Sequence, residues 1–364
     1  MRSNRETLDW LFETAQIRLR RGMIFDVAPT PLPEGLDFDR VEGMMIGLAI
    51  GDALGNTTEG QPPSRRSEER GEIRDYIPNR YADFQPVGLP SDDTQLAFWT
   101  LEQMIADGGF VPQHVAELLA SRQIFGIGSA VCEAMQRMQQ GRAWYEAGPE
   151  SAGNGALMRI APMLIPHLRT ATPDLWVDTA LSGMLTHNDS ASTAACIAFV
   201  GILWDLLRSD SAPQPPWWVE RYVEIARDLE ITDYRPRGGE FTGFQGPVWR
   251  FVEERLPEAL EADRPAAEAC NAWYSGAFIL ETVPSALYML MRHAGDPEEA
   301  IIRAVNDTRD SDTIGAIVGA AIGALHGMDA LPKRWRDGLL GRTAADDDGR
   351  IYDLLGDARK LWWK

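Results

Sequence analysis

The chain has 364 residues, enough to bury a large core in one big domain or two ordinary ones. It carries 54 acidic against 35 basic side chains, a formal net charge of -19. That balance argues against a dedicated nucleic-acid surface and leaves any phosphate handling to metal ions, helix N-termini or a few placed arginines. The three cysteines, Cys132, Cys196 and Cys270, lie far apart in apolar or helix-like stretches, and read as buried thiols rather than disulfides or a zinc site. The first residues lack the apolar core of a secretion signal, and the longest uncharged runs fall short of the roughly 20 residues a membrane span needs. A cytoplasmic protein is expected.

Residues 1–40 are expected to form an N-terminal helical extension and residues 41–364 a single domain. Within the extension, residues 1–21 read as an amphipathic helix with Leu8, Leu11, Phe12 and Ala15 on one side and Arg18, Arg20 and Arg21 as a solvated group near its end. Pro29, Pro31 and Pro33 break the pattern, so the extension packs on the body or on another subunit. The body opens with Gly43, Gly47, Gly51 and Gly55, one every four residues through an apolar run. Each glycine costs about 1 kcal/mol in a helix relative to alanine, so four on one face imply a very close neighbour. Gly315, Gly319, Gly323 and Gly327 repeat the device, which predicts that these two helices lie against each other. An antiparallel pair would set Glu59, just past the first, beside Asp310 and Asp312 at the start of the second. Asp52, inside the first stripe, is expected to make a buried hydrogen bond.

Apolar spacing of three and four predicts further helices over Leu96–Ile105, Val115–Phe125, Ala130–Met138, Leu157–Leu164, Leu175–Leu185 and Ser192–Leu207. It continues over Val219–Leu229, Val248–Leu256, Ala277–Met291, Pro297–Val305 and Asp353–Trp363. Alternating strand-like runs are scarce, and the class is all-α. The irregular stretch Ile231–Gly246 is either a pocket wall or lid, or a plain surface excursion. Asp346, Asp347 and Asp348 are assigned to a solvated loop.

Two acidic clusters precede apolar runs: Ser91-Asp92-Asp93-Thr94 and Asp310-Ser311-Asp312-Thr313. Capping explains one such residue at a helix start, because Ser and Asp accept bonds from free backbone amides. It does not explain two carboxylates and a hydroxyl at each. Pooled, the clusters would offer four carboxylates and two hydroxyls, hard oxygen donors suited to Mg²⁺, Mn²⁺ or Ca²⁺. Four such charges need neutralising, which favours two divalent ions over one. Glu59 would then be a base, a movable ligand or a gate; taken alone it is an ordinary surface residue. The loop from Ser151 through Gly153, Asn154 and Gly155 leads toward a predicted helix and offers amides for a phosphate, although Gly-Asn-Gly also marks common turns. His187, between polar neighbours, reads first as a hydrogen-bonding residue, with substrate contact as the functional alternative.

In this order, Gly51-Asp52-Ala53-Leu54-Gly55 with Glu59, Ser91-Asp92-Asp93-Thr94, Gly153-Asn154-Gly155, Thr186-His187 and Asp310-Ser311-Asp312-Thr313 resemble the ADP-ribosylglycohydrolases, a family that includes the dinitrogen reductase-activating glycohydrolases. The resemblance covers roughly Val41 to Gly327. It implies an all-α fold with two Mg²⁺ or Mn²⁺ ions and hydrolysis of ADP-ribose from a modified side chain, arginine first. By position it implies that Ser91, Asp92, Asp93, Asp310, Asp312 and Thr313 hold the ions. Glu59 and Asp93 become the catalytic carboxylates, and Ser151, Gly153, Asn154, Gly155 and His187 contact the ADP-ribose. The implied partner is an ADP-ribosylated protein or adduct, and the implied state is a monomer or small homo-oligomer. Serine-linked or small-molecule adducts are the rival substrates, and a non-catalytic ADP-ribose binder or immunity protein is the rival class. Thr308-Arg309 stands where the family usually has two glycines, adding bulk and positive charge at the expected mouth.

Overall fold

Helices make up the regular structure of residues 2–363, the part that the computed structural model describes. In chain order they are α1 (Asn4–Glu13), α2 (Asp39–Gly55), α3 (Pro63–Arg70), α4 (Asp92–Asp107), α5 (Pro112–Ser121), α6 (Ser129–Gln139), α7 (Trp144–Ala147), α8 (Asp174–Met184) and α9 (Ser190–Leu206). They continue with α10 (Pro215–Ala226), α11 (Val248–Glu261), α12 (Ala266–Ala272), α13 (Ile279–His293), α14 (Pro297–Asp307), α15 (Ser311–His326), α16 (Lys333–Gly338) and α17 (Arg350–Trp362). The described residues form isolated bridges but no strand. None of the helices is long and apolar enough to cross a membrane.

Helix α9 buries every residue except Asp205, and α15 buries every residue except His326. A helix that is apolar all round belongs inside a helical assembly, and α2, α9, α13 and α15 together make the centre of this one. The seam between α2 and α15 is built as the glycine spacing predicts. Gly43 faces Gly323 and Gly327, Gly47 faces Gly319, Gly51 faces Gly315, and Gly55 faces Ser311 and Asp312. The order reverses along the pair, so the helices are antiparallel. A Cβ placed on Gly43 would stand 2.7 Å from the Gly323 carbonyl oxygen, and one on Gly315 would stand 2.7 Å from that of Gly51. Both distances are forbidden to a methyl group, so the backbones themselves form the contact.

Three element readings need correction. The first helix ends at Glu13, not residue 21, because the chain turns there in a Schellman motif. Ala15 takes a left-handed φ of 53° and the amides of Ala15 and Gln16 bond back to Phe12 and Leu11. Residues 157–164 form no α-helix. Turns lead into a 3-10 segment, Ala161–His167, where Pro162 and Pro166 each lack the amide that an α-helix would use. Helix α3, Pro-Ser-Arg-Arg-Ser-Glu-Glu-Arg, escaped apolar periodicity because it has almost no apolar residues.

The N-terminal segment packs on the body. Leu8, Leu11, Ile17, Leu19 and Phe25 are buried, Asn4 donates to Asp178 Oδ1 at 2.7 Å, and α1 rests on α8. Arg18 and Arg21 hold exposed ion pairs with Glu150, Asp9 and Asp26. Asp347 closes a turn by accepting from the Thr343 and Ala344 amides, which accounts for the acidic run there.

Candidate active site

Carboxylates at a helix start can serve merely as caps. At α4 they do not. Ser91 is the N-cap residue and its own side chain makes no capping bond. The capping acceptor is Asp52, reaching from α2: its carboxylate takes the amides of Ser91 at 2.8 Å and Thr94 at 3.1 Å, and the hydroxyls of Ser91 at 2.7 Å and Thr94 at 2.6 Å. Asn56 Nδ2 adds a fifth donor at 3.1 Å. Asp52 therefore makes the buried hydrogen bonds expected of it, and leaves Asp92 and Asp93 without a capping duty. Both are buried, and Asp93 Oδ1 has no hydrogen-bond partner at all. Desolvating a carboxylate oxygen uncompensated is costly, so a position of this kind fits an oxygen-preferring cation.

At α15 the same holds. Asp310 occupies the N-cap position without a side-chain capping bond; its Oδ2 instead accepts from Asn154 Nδ2 at 2.5 Å. Asp312 Oδ1 accepts only the neighbouring Thr313 amide at 2.9 Å. Ser311 turns back across the seam to Gly55 O at 3.0 Å. Because α2 and α15 are antiparallel, the 3-10 turn after α2 delivers Glu59 to this spot. One oxygen each from Glu59, Asp310 and Asp312 lies within 4.8 Å of the others. The Gly60 amide donates to Arg309 O at 2.8 Å and ties the Glu59 turn to the second cluster.

The electrostatics agree with the geometry. Burial, followed by the charges of Asp52, Asp92 and Asp310, pushes the Asp93 carboxyl well above the usual carboxylate range, while the Thr313 hydroxyl partly offsets this. Burial and then Asp93, Asp310 and Glu59 do the same to Asp312. Burial and Asp52 raise Asp92, and Asp310 is raised to about 7, again chiefly by burial. Glu59 sits on the rim, more exposed than the rest, and is raised by desolvation and by Asp52. Protonation is one way to relieve such a cluster. An oxygen-preferring divalent cation is the other, and the donor set of carboxylates and hydroxyls, without sulfur or imidazole, suits Mg²⁺ or Mn²⁺.

The remaining predicted residues form a second lobe beside the acidic one. Turns, not an α-helix, follow Gly153-Asn154-Gly155 as far as the 3-10 segment at Ala161, so no α-helix N-terminus stands behind this loop. The Gly153 amide bonds Ser151 Oγ at 3.3 Å and the Asn154 amide bonds Ala277 O at 3.3 Å. Gly153 and Gly155 are small because His187 packs against both: a Cβ on Gly153 would meet its Nε2 at 3.1 Å. His187 is buried, holds Thr186 Oγ1 at 2.9 Å, and is pushed down to about 3 by burial and by the neighbouring Arg159. It is a neutral hydrogen-bonding imidazole at physiological pH. Asn154 is the bridge between lobes, through its bond to Asp310.

Several contacts around the site could not be read from the sequence. The loop Ile231–Gly246 is held by the Tyr234–Gly246 bridge, by Tyr234 Oη to Asp189 Oδ2 at 2.9 Å, and by a two-pronged pair from Arg237 to buried Glu281 at 3.0 and 2.7 Å. Tyr274 and Ser275 both have left-handed backbones, φ 80° and 47°, and Ser275 O accepts the Asp310 amide at 3.1 Å. Consecutive non-glycine residues in that region are strained, a state that neighbouring structure must enforce. Arg309 lies over the Tyr274 ring, 4.6 Å from its centroid. Thr308, by contrast, is buried with its hydroxyl on Ala304 O at 2.6 Å, so it adds no bulk at the mouth.

Residues 33–362 match the family model described as ADP-ribosylglycohydrolase. The ADP-ribosylarginine hydrolase Tri1 of Serratia proteamaculans is 25% identical, over 86% of this chain and 78% of its own. The ADP-ribosyl-[dinitrogen reductase] glycohydrolase of Rhodospirillum rubrum is 25% identical over 82% and 89%. A solved structure titled ADP-ribosylglycohydrolase-related protein complex superposes with a TM-score of 0.66 at 27% identity, covering 89% of this chain and 97% of that one. Together with the acidic clusters at the starts of α4 and α15, these matches show that the chain belongs to the ADP-ribosylglycohydrolase family, enzymes that hydrolyse glycosidic bonds to ADP-ribose.

Proposed function

We propose that the protein removes ADP-ribose from modified arginine side chains, using a centre of two Mg²⁺ or Mn²⁺ ions held by Ser91, Asp92, Asp93, Asp310, Asp312 and Thr313. The observation that carries the proposal is the meeting of Glu59, Asp310 and Asp312 oxygens within 4.8 Å, beside the unpartnered Asp93 Oδ1. Bound there, divalent ions would neutralise the carboxylates and act as Lewis acids toward the ribose hydroxyls and a water.

The chain's own groups do the rest. Glu59, exposed, and Asp93, buried, are the carboxylates assigned to proton transfer: one would take a proton from the water as it bonds to the anomeric carbon, and the other would hand a proton to the departing nitrogen as the C–N bond breaks. As the anomeric carbon loses its leaving group it develops oxocarbenium character, which the attacking water then relieves. Asn154 holds Asp310 still. His187, kept neutral, offers Nε2 toward the loop of Ser151, Gly153 and Gly155, where the ADP portion would lie. A cytoplasmic location and an ADP-ribosylated protein partner belong to the same reading.

Arginine is supported by the name of the Serratia relative, an ADP-ribosylarginine hydrolase, and a protein substrate by that of the Rhodospirillum relative, an ADP-ribosyl-[dinitrogen reductase] glycohydrolase. Arg309 favours a second reading. A cation one residue from Asp310 opposes a guanidinium acceptor and suits a serine-linked or nucleotide adduct. Release of ADP-ribose from arginine-, serine- and guanosine-linked conjugates, with and without Mg²⁺, tests both readings. The arginine conjugate should be cleaved fastest, and only with the cation; preference for another linkage would replace the arginine reading.

A further inference from the structure

Arg66, on α3, is fully buried and yet none of its hydrogen bonds goes to a carboxylate. Its Nε donates to Thr58 Oγ1 at 2.9 Å. Nη1 donates to Asn306 O at 2.9 Å and Thr308 O at 2.8 Å, and Nη2 donates to Thr58 O and Gln61 O, both at 3.2 Å. All five acceptors belong to two short segments. Thr58 and Gln61 flank Glu59, while Asn306 and Thr308 lead directly into Arg309 and Asp310. A planar guanidinium is suited to this, since its fixed fork can bond two segments at once where a lysine offers a single point. Burying a cation without an ion pair is costly. Sealing a loop does not require that charge, but fixing two segments beside an acidic centre benefits from it, since Asp307 and Asp312 lie within its field.

We propose that Arg66 is a positioning residue that fixes the Glu59 turn against the Asp310–Asp312 cluster, and so sets how Glu59 meets the cations. The inference rests on the two-cation reading of the centre. It assigns a role to a residue that touches neither substrate nor metal and acts only through Glu59. The Gly60 amide bond to Arg309 O ties the two segments directly, and the bonds of Arg66 add further links between them.

Calorimetric titration with Mn²⁺, alongside kcat and KM on ADP-ribosylarginine, should compare wild type, Arg66→Lys, Glu59→Gln and the double variant. Outer-shell partners of metal ligands typically contribute a factor of roughly 10 to 100. Arg66→Lys should therefore weaken Mn²⁺ binding about tenfold in the wild-type background, and by less than about twofold when Glu59 is already glutamine. Equal losses in both backgrounds would overturn the proposal, because a purely structural arginine gives that pattern. Should Arg66→Lys fail to fold, Thr58→Val removes one of the same bonds and must show the same non-additivity, and additive losses there would overturn the proposal equally. A wild-type protein that binds no Mn²⁺ would instead overturn the two-cation reading.

Discussion

Asp52 and Asp312 divide the acidic side chains of the site into two kinds. Asp52 is a carboxylate satisfied by five donors, and its work is structural. Replacing it by alanine would free the first amides of α4, and hydrogen bonds to a charged acceptor contribute about 1.5–3 kcal/mol each. Asp52→Ala should lower the unfolding free energy by at least about 2 kcal/mol, measurable by urea denaturation. Asp312 is the opposite kind, buried among like charges. Asp312→Asn should abolish turnover and weaken Mg²⁺ binding while leaving the cation-free thermal midpoint unchanged or higher. A pH dependence follows from the same residues. The folded carboxyls of Asp93, Asp310 and Asp312 hold protons more tightly than unfolded ones, so the folded state binds more protons. Stability from this source is fully present below the ordinary carboxylate range and is lost as pH rises through the folded values, about 7 for Asp310. Differential scanning calorimetry of the cation-free protein should therefore show a midpoint that falls between about pH 5 and pH 8, and Mg²⁺ should flatten that fall.

At the scale of elements, the seam of α2 and α15 positions everything else. Gly319→Ala should destabilise by about 1–3 kcal/mol or more through overpacking, whereas Gly243→Ala, in an open part of the loop, should stay within about 0.5 kcal/mol. Equal effects in chemical denaturation would contradict the close-approach account. This pairing was legible in the sequence because glycines at every fourth position encode contact with a distant partner as well as local conformation. Most helices were legible for the ordinary reason that their apolar faces repeat. What escaped was tertiary: that Asp52 caps a helix 39 residues away, that Arg66 joins segments about 240 residues apart, and that Arg237 meets Glu281. The expected helix over 157–164 failed because apolar spacing says nothing of the amides missing at Pro162 and Pro166.

Over the whole molecule, two acidic sequences separated by more than 200 residues converge because four buried helices leave them one place to go. The N-terminal segment joins this assembly from outside: Gln16 O and the Arg18 amide grip Asn188, next to His187, and Arg18 pairs with Glu150, next to Ser151. Its buried Leu11 should cost about 2–5 kcal/mol on truncation to alanine, which urea denaturation would record. The central claim is that the two clusters share one pair of cations. Electron paramagnetic resonance of bound Mn²⁺, with stoichiometry from equilibrium dialysis, tests it most directly. Wild type should hold two spin-coupled ions per chain, and both Asp93→Asn and Asp312→Asn, one from each cluster, should lose the coupled signal. Uncoupled ions in wild type, or a coupled signal that survives either substitution, would contradict the account.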